Sequence, residues 1–144
     1  MPNQEKWDNL FLKMALEVST MSKDPSTRVG SILVTSDNKQ ISFGYNGFVA
    51  GIVETSEMWN NRDLKLLHVL HSEENNLLNC KFDTKGTTIY VTHQPCPKCI
   101  IKLAQAKIRR IVYINKYEKM GNLDIWNEYA KLFDEVKQMN IKGN

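Results

Sequence analysis

The sequence predicts an α/β protein, a three-layer α/β/α sandwich around a mixed central sheet of about five strands. Three observations carry this. After an opening amphipathic helix, the hydrophobic patterning reads β, β, α, β, α, β in chain order. Within that order, Thr87 to Thr92, Pro97 to Ala106 and Ile108 to Ile114 read strand, helix, strand, which implies a parallel, right-handed crossover. Finally, 144 residues with 42% hydrophobic content can bury one core and leave no room for a second, so residues 1–144 read as one domain.

Each element has its own reason. Trp7, Leu10, Phe11, Met14, Ala15, Val18 and Met21 recur at helical spacing, so residues 5 to 21 form an amphipathic helix whose stripe packs on one sheet face. Pro25 pushes Asp24 out of helical geometry, and the run Ser22 to Thr27 ends the helix. Val29 to Thr35 and Gln40 to Tyr45 are strands of a hairpin turned by Asp37-Asn38-Lys39. From Val49 to Asp63 the periodicity is lost, which reads as a long loop or flap. A helix starts at Ser72, with Glu73 and Glu74 in the first turn where carboxylates suit the helix dipole, and Leu77 and Leu78 facing inward. Near the C-terminus, Trp126, Tyr129, Ala130 and Phe133 have helical spacing, and Val136 to Met139 fits either a closing strand or more helix.

The chemistry-bearing residues lie in two pieces, His71-Ser72-Glu73 and Pro95-Cys96-Pro97-Lys98-Cys99. Together they read H-x-E and P-C-x-x-C, the pattern of zinc deaminases. One imidazole and two thiolates make three ligands, so a tetrahedral Zn²⁺ keeps its fourth position for water. A structural zinc knuckle is the alternative, but no further ligand-type residue completes a partnering motif, and His68 alone has ambiguous spacing. Cys96 and Cys99 turn their sulfurs to one side at a helix start, where amides favour thiolates. Glu73 is close enough to the metal to move the water's proton without being a ligand, which makes it the general acid/base. His93 and His68 read as ordinary hydrogen-bonded histidines, and Cys80 as a small core residue.

Composition narrows the partners. Lys and Arg number 19 against 16 Asp and Glu, a net charge of +3 with only Lys107, Arg109 and Arg110 clustered, which speaks against a large nucleic-acid footprint. The stretch Met1 to Lys6 is polar, and no apolar run is long enough for a membrane helix, so neither targeting nor a membrane partner is expected. There are three cysteines, of which Cys80 has no disulfide partner; thiolate ligation needs reduced sulfur, and a cytoplasmic location fits.

The chain also carries Ser22-Lys23-Asp24-Pro25, Val29-Gly30, Gly44-Tyr45-Asn46-Gly47, Thr88 to Thr92 and Ile111-Val112-Tyr113. With the zinc motif, these make it resemble the deoxycytidylate (dCMP) deaminases of the cytidine deaminase-like superfamily, from about Trp7 to Tyr117. The resemblance implies hydrolysis of dCMP to dUMP and ammonia, supplying precursor for thymidylate synthesis. It implies zinc on His71, Cys96 and Cys99, and substrate contacts from Ser26, Arg28, Asn46, Tyr117 and the backbone N–H of Ser72. It further implies activation by dCTP and inhibition by dTTP, each with Mg²⁺, at a site formed by Gly44, Tyr45, Asn46, Gly47 and Gly51. A homo-oligomer, commonly a hexamer, is expected on the same ground.

The departures are local. Where the family writes H-A-E-L-N-A, this chain has His71-Ser72-Glu73-Glu74-Asn75-Asn76, and Val49 replaces the proline that follows G-Y-N-G. The segment between Gly51 and His68 is short, and no second zinc site is visible. Two other readings share the zinc motif: a deaminase of tRNA adenosine or single-stranded cytosine, which would need a basic or aromatic strand groove, and a non-catalytic zinc or nucleotide-binding module. The small charge and the G-Y-N-G segment speak against the first, and Glu73 against the second.

Overall fold

The computed structural model describes residues 3–143; Met1 and Pro2 of the polar N-terminal stretch, and the last residue of the expected 1–144 domain, lie outside them. Eleven elements follow in order: α1 (Gln4–Ser19), β1 (Gly30–Val34), β2 (Ile41–Tyr45), α2 (Ser56–Asn60), α3 (Arg62–His68), α4 (Ser72–Asn79), β3 (Thr88–His93), α5 (Pro97–Gln105), β4 (Arg110–Asn115), α6 (Leu123–Ala130) and β5 (Glu135–Gln138). The sheet has the strand order β2-β1-β3-β4-β5. β1 runs antiparallel to β2 and β3, and β3, β4 and β5 are mutually parallel. The α/β/α sandwich around a mixed five-stranded sheet is therefore present.

Side-chain alternation divides the core into two layers. Ile32, Val34, Tyr90 and Val112 point to one face and meet Phe11, Leu12 and Ala15 of α1. Leu33, Ile89, Val91, Ile111 and Tyr113 point to the other, where Ile100 and Leu103 of α5, Trp126 of α6 and Phe133 cover them and Leu77 of α4 packs alongside.

Three expectations change, and one left open is decided. The stripe of the first helix is rotated: Trp7, Leu10 and Met21 are exposed, and Asp8, Leu12 and Ser19 are buried with Phe11 and Ala15. The cause is Asp8, a charge that takes an inward position because Arg110 meets it there. The stretch expected as a loop or flap contains α2 and α3, whose caps are Thr55 Oγ1, receiving the Met58 N–H at 3.2 Å, and Asn61 Oδ1, receiving that of Leu64 at 3.1 Å. Leu77 faces inward as expected, but Leu78 is exposed on the outer side of α4. At the C-terminus a strand forms, since pairing with β4 satisfies the backbone and Met139 donates its N–H to Tyr113 O at 2.8 Å.

Candidate active site

The parallel strands β3 and β4 end on the same side of the sheet, the side where open α/β sheets bind ligands. β3 runs into Gln94-Pro95-Cys96, and α5 begins at once with Pro97 in the first helical position, where a missing N–H costs nothing. Cys96 is the N-cap of α5 and Cys99 lies in its first turn. The loop is pinned from behind, because the Trp126 indole N–H donates to Pro95 O at 2.9 Å. It is also pinned from the side, since Gln94 N–H donates to Asn115 O at 2.8 Å and Gln94 Oε1 accepts the Tyr117 N–H at 3.0 Å.

Facing this loop, His71 is the N-cap of α4. Its Nδ1 lies 3.2 Å from Cys99 Sγ and 3.6 Å from Cys96 Sγ, and all three donor atoms lie within 4.8 Å of one another. A tetrahedral zinc with ordinary Zn–N and Zn–S bonds would hold nitrogen and sulfur about 3.5 Å apart. The donor set and its spacing thus fit Zn²⁺ through Nδ1 and two sulfurs. The hydrogen bond from Cys99, with help from His71, brings the Cys96 thiol down to about 4. The same bond, together with burial, pushes Cys99 far up, because the pair holds one proton between two sulfurs. The Cys96 sulfur beside it raises His71. Metal ligation requires these protons to leave.

Glu73, two residues beyond His71, is 4% exposed, and burial pushes its carboxyl up to about 7. It lines a cavity of about 480 Å³ together with Asp24, Thr27, Asn46, His71, Cys96 and Tyr117. Ser72 also borders the cavity, but its hydroxyl points to the sheet, within hydrogen-bond distance of Ser31 Oγ at 2.8 Å and Gly44 O at 2.9 Å. Its N–H, as the first of the helix, has no intrahelical acceptor.

Asn46 is an anchor. Its Oδ1 accepts the Val29 N–H at 2.8 Å, and its Nδ2 donates to Thr27 O at 2.9 Å and to Asp24 Oδ2 at 3.1 Å. Ser26 and Arg28 sit exposed on the loop that Asn46 braces and are not among the residues lining the cavity, whereas Thr27 of the same loop is. Sequence reasoning missed Asp24, Thr27, Lys116 and Lys119 as cavity residues. The two lysines bracket Tyr117 and Glu118, which also lines the cavity, and that pair of cations around an aromatic was the available signal.

A buried carboxyl beside a His-Cys-Cys cluster, opening on a nucleotide-sized cavity at the carboxyl ends of parallel strands, defines a zinc-dependent hydrolytic centre of the deaminase class. The chain belongs to the cytidine and deoxycytidylate deaminase family: the model of that family's zinc-binding region matches residues 5–115. It is 39% identical over 131 residues to an uncharacterized deaminase in the luxG 3′ region of Aliivibrio fischeri, covering 91% of this chain and 86% of that one. It is 33% identical over 135 residues to the deoxycytidylate deaminase of Pongo abelii, covering 90% of this chain and 75% of the relative. Among solved structures, the dCMP deaminase of cyanophage S-TIM5 in complex with dCMP and dUMP matches with a TM-score of 0.77 at 28% identity, covering 94% of this chain and 98% of the other. Among the described residues no helix is long and apolar enough to cross a membrane.

Proposed function

We propose that this chain hydrolyses dCMP to dUMP and ammonia. The observation that carries the reading is Glu73, a buried carboxyl aimed into a cavity next to three metal-ligating atoms, in a chain similar to a deaminase solved with dCMP and dUMP. Zinc, when bound by His71, Cys96 and Cys99, supplies the Lewis acidity that makes water a nucleophile near neutral pH. Glu73 would take one proton from the attacking water and give it to the ring nitrogen, then take the remaining proton of the new hydroxyl and give it to the amine, so that the C–N bond breaks as the carbonyl forms and ammonia leaves. The Ser72 N–H donates to the base carbonyl. Both amide hydrogens of Asn46 are spent on Asp24 and Thr27, so Asn46 meets the sugar through the free lone pair of Oδ1, which accepts from a hydroxyl. Tyr117, Lys116 and Lys119 on one side, and the Ser26 to Arg28 loop on the other, receive the 5′-phosphate.

The test is kcat/KM for dCMP, CMP, dCTP and deoxycytidine. Deoxycytidine is expected to fall roughly ten- to hundredfold below dCMP, the worth of a charge-assisted contact. Equal values would refute the phosphate site. Glu73→Ala is expected to keep its zinc and lose turnover; zinc lost with Glu73, or turnover kept, would refute the assignment of the acid/base.

The regulatory reading rests on a second cavity, about 410 Å³, lined by Gly44, Tyr45, Gly47, Phe48 and Asn75 among others. Asn46, between Tyr45 and Gly47, lines the catalytic cavity, so one segment borders both. dCTP and dTTP with Mg²⁺ bind there, with Gly51, at φ +94°, turning the chain beyond Gly47. The exposed apolar side chains Phe43, Val53, Leu67 and Leu78, with the free edge of β2, are buried in a homo-oligomer, a hexamer by resemblance. dCMP saturation curves with and without each triphosphate, followed alongside the sedimentation of the protein, test both statements. The cytoplasm is the location that keeps the thiolates reduced.

A further inference from the structure

The two elements that bring ligands to the metal come from distant parts of the chain: His71 starts α4, and Cys96 and Cys99 start α5. Nothing in the sheet ties one helix to the other directly. Glu74 stands between them. Its Oε1 accepts the His71 N–H at 2.8 Å, and its Oε2 accepts Lys102 Nζ at 2.6 Å. Lys102 follows Cys99 by three residues, one turn along the same face of α5. One carboxylate therefore holds the backbone of the histidine ligand with one oxygen and the helix of the cysteine ligands with the other. Among the described residues, this is the only hydrogen bond or ion pair joining α4 to α5 apart from the contacts between the ligand atoms themselves.

We propose that Glu74 is a positioning residue that sets the spacing of His71 against Cys96 and Cys99, with Lys102 as its fixed point on α5. The proposal rests on the zinc reading of the His-Cys-Cys cluster. Half of the pair is open to water, the side chains being 21% and 47% exposed, so it is worth little to folding as an ion pair. Its effect belongs to the metal, because partners that orient ligands change metal affinity about ten- to hundredfold. Glu74 touches neither the cavity nor the reacting atoms. Its loss therefore acts on zinc retention and on kcat, through the place of Glu73 on the same turn, and leaves KM alone.

The experiment uses the zinc-loaded full chain. Zinc content of the parent protein is measured first, and its absence would remove the zinc reading itself, separately from this proposal. Zinc release to a colorimetric chelator is then timed for the parent, Glu74→Leu, Glu74→Gln, Lys102→Met and the Glu74→Leu/Lys102→Met pair. Glu74→Leu is expected to release zinc about tenfold faster or more, with kcat reduced and KM unchanged. Glu74→Gln keeps an acceptor for the His71 N–H and is expected to recover part of the loss. The double variant is expected to match Glu74→Leu, since Lys102 acts only through Glu74. Lys102→Met stays informative if Glu74→Leu fails to fold, because Lys102 is exposed and its loss must by itself speed zinc release. Parental release rates in Glu74→Leu or Lys102→Met, or additive effects in the double variant, would overturn the proposal.

Discussion

A Cβ at position 44 would lie 2.5 Å from Ser72 O and 2.6 Å from Asn76 N, both backbone atoms of α4. Those atoms cannot step aside singly, so any side chain at Gly44 pushes α4 off β2 and carries His71 and Glu73 with it. The resemblance places this glycine in a nucleotide-effector site. Helix-to-strand contact is the reason the geometry supplies. Gly47, three residues on, has open space where a Cβ would go. Gly44→Ala is therefore expected to cost about 1–3 kcal/mol, the range for overpacking, and to weaken zinc retention. Gly47→Ala is expected to unfold close to the parent in urea. A Gly44→Ala protein as stable as the parent would show that α4 has slack the packing denies. The same contact region is polar: Asn76 Nδ2 donates to Ser31 Oγ at 3.0 Å, and Ser72 shares that hydroxyl. The residues at two positions where the family writes alanine meet at one serine of β1.

Among the elements, α2 and α3 are the least visible in the sequence, and α3 is tied directly to the site. Lys65 of α3 donates to Asp24 Oδ1 at 2.9 Å, and that same oxygen accepts the N–H groups of Ser26 and Thr27. Burial alone would raise the Asp24 carboxyl, but the Lys65 and backbone hydrogen bonds outweigh it and hold the group below its usual range. Asp24 and Thr27 line the cavity, so α3 clasps the loop that faces the substrate. Lys65→Met is expected to raise KM for dCMP about tenfold with kcat little changed, and Lys65→Arg to recover part of it. An unchanged KM would mean the loop keeps its shape without α3. The His-Cys-Cys cluster that could hold a metal, with Glu73 beside it, was legible as a candidate site because a metal demands a fixed spacing of a few residue types. The strands and α5 were legible because one face or both are apolar. The Lys65–Asp24 clasp spans 41 residues and leaves no local periodicity, and α2 and α3 are too short for a pattern to develop. Only their caps, Thr55 and Asn61, mark them, and such residues are equally common in loops.

At the scale of the whole molecule, the fold is closed by a buried charge. Asp8, fully buried on α1, receives both terminal nitrogens of Arg110 from β4, at 3.1 and 2.9 Å, the Tyr90 hydroxyl from β3 at 2.6 Å, Gln4 at 2.8 Å and Lys137 of β5 at 2.9 Å. One carboxylate therefore joins the first helix to three strands, and its partner Arg110 lies 102 residues away, which is why helical periodicity misplaced the stripe of α1. Burial alone would raise this carboxyl; the hydrogen bonds from Arg110, Tyr90, Lys137 and Gln4 outweigh it and hold Asp8 well below its ordinary 3.8. The unfolded chain then binds this proton more readily than the folded one. The stability Asp8 contributes is complete above the unfolded value near 3.8 and is lost progressively as pH falls below it. Asp8→Asn leaves Arg110 with Glu135, 2.8 Å from its Nε, as its remaining carboxylate partner, and is expected to cost less at neutral pH than the about 3–5 kcal/mol of a buried charge left wholly unpaired. Its deficit against the parent should shrink as pH falls below about 4, where the parent's Asp8 begins to lose its advantage. The measurement is urea unfolding of both proteins across that range; both carry the same zinc site, so its acid sensitivity cancels in the difference. Replacing the pair by Asp8→Leu and Arg110→Met tests the other half of the argument, since an apolar pair of similar volume is often as stable as a buried ion pair. Recovery of most of the Asp8→Asn loss in that double variant, together with a flattened acid limb, is the expected result. A deficit that stays constant through the acid range would place the acid sensitivity of the fold elsewhere than at Asp8.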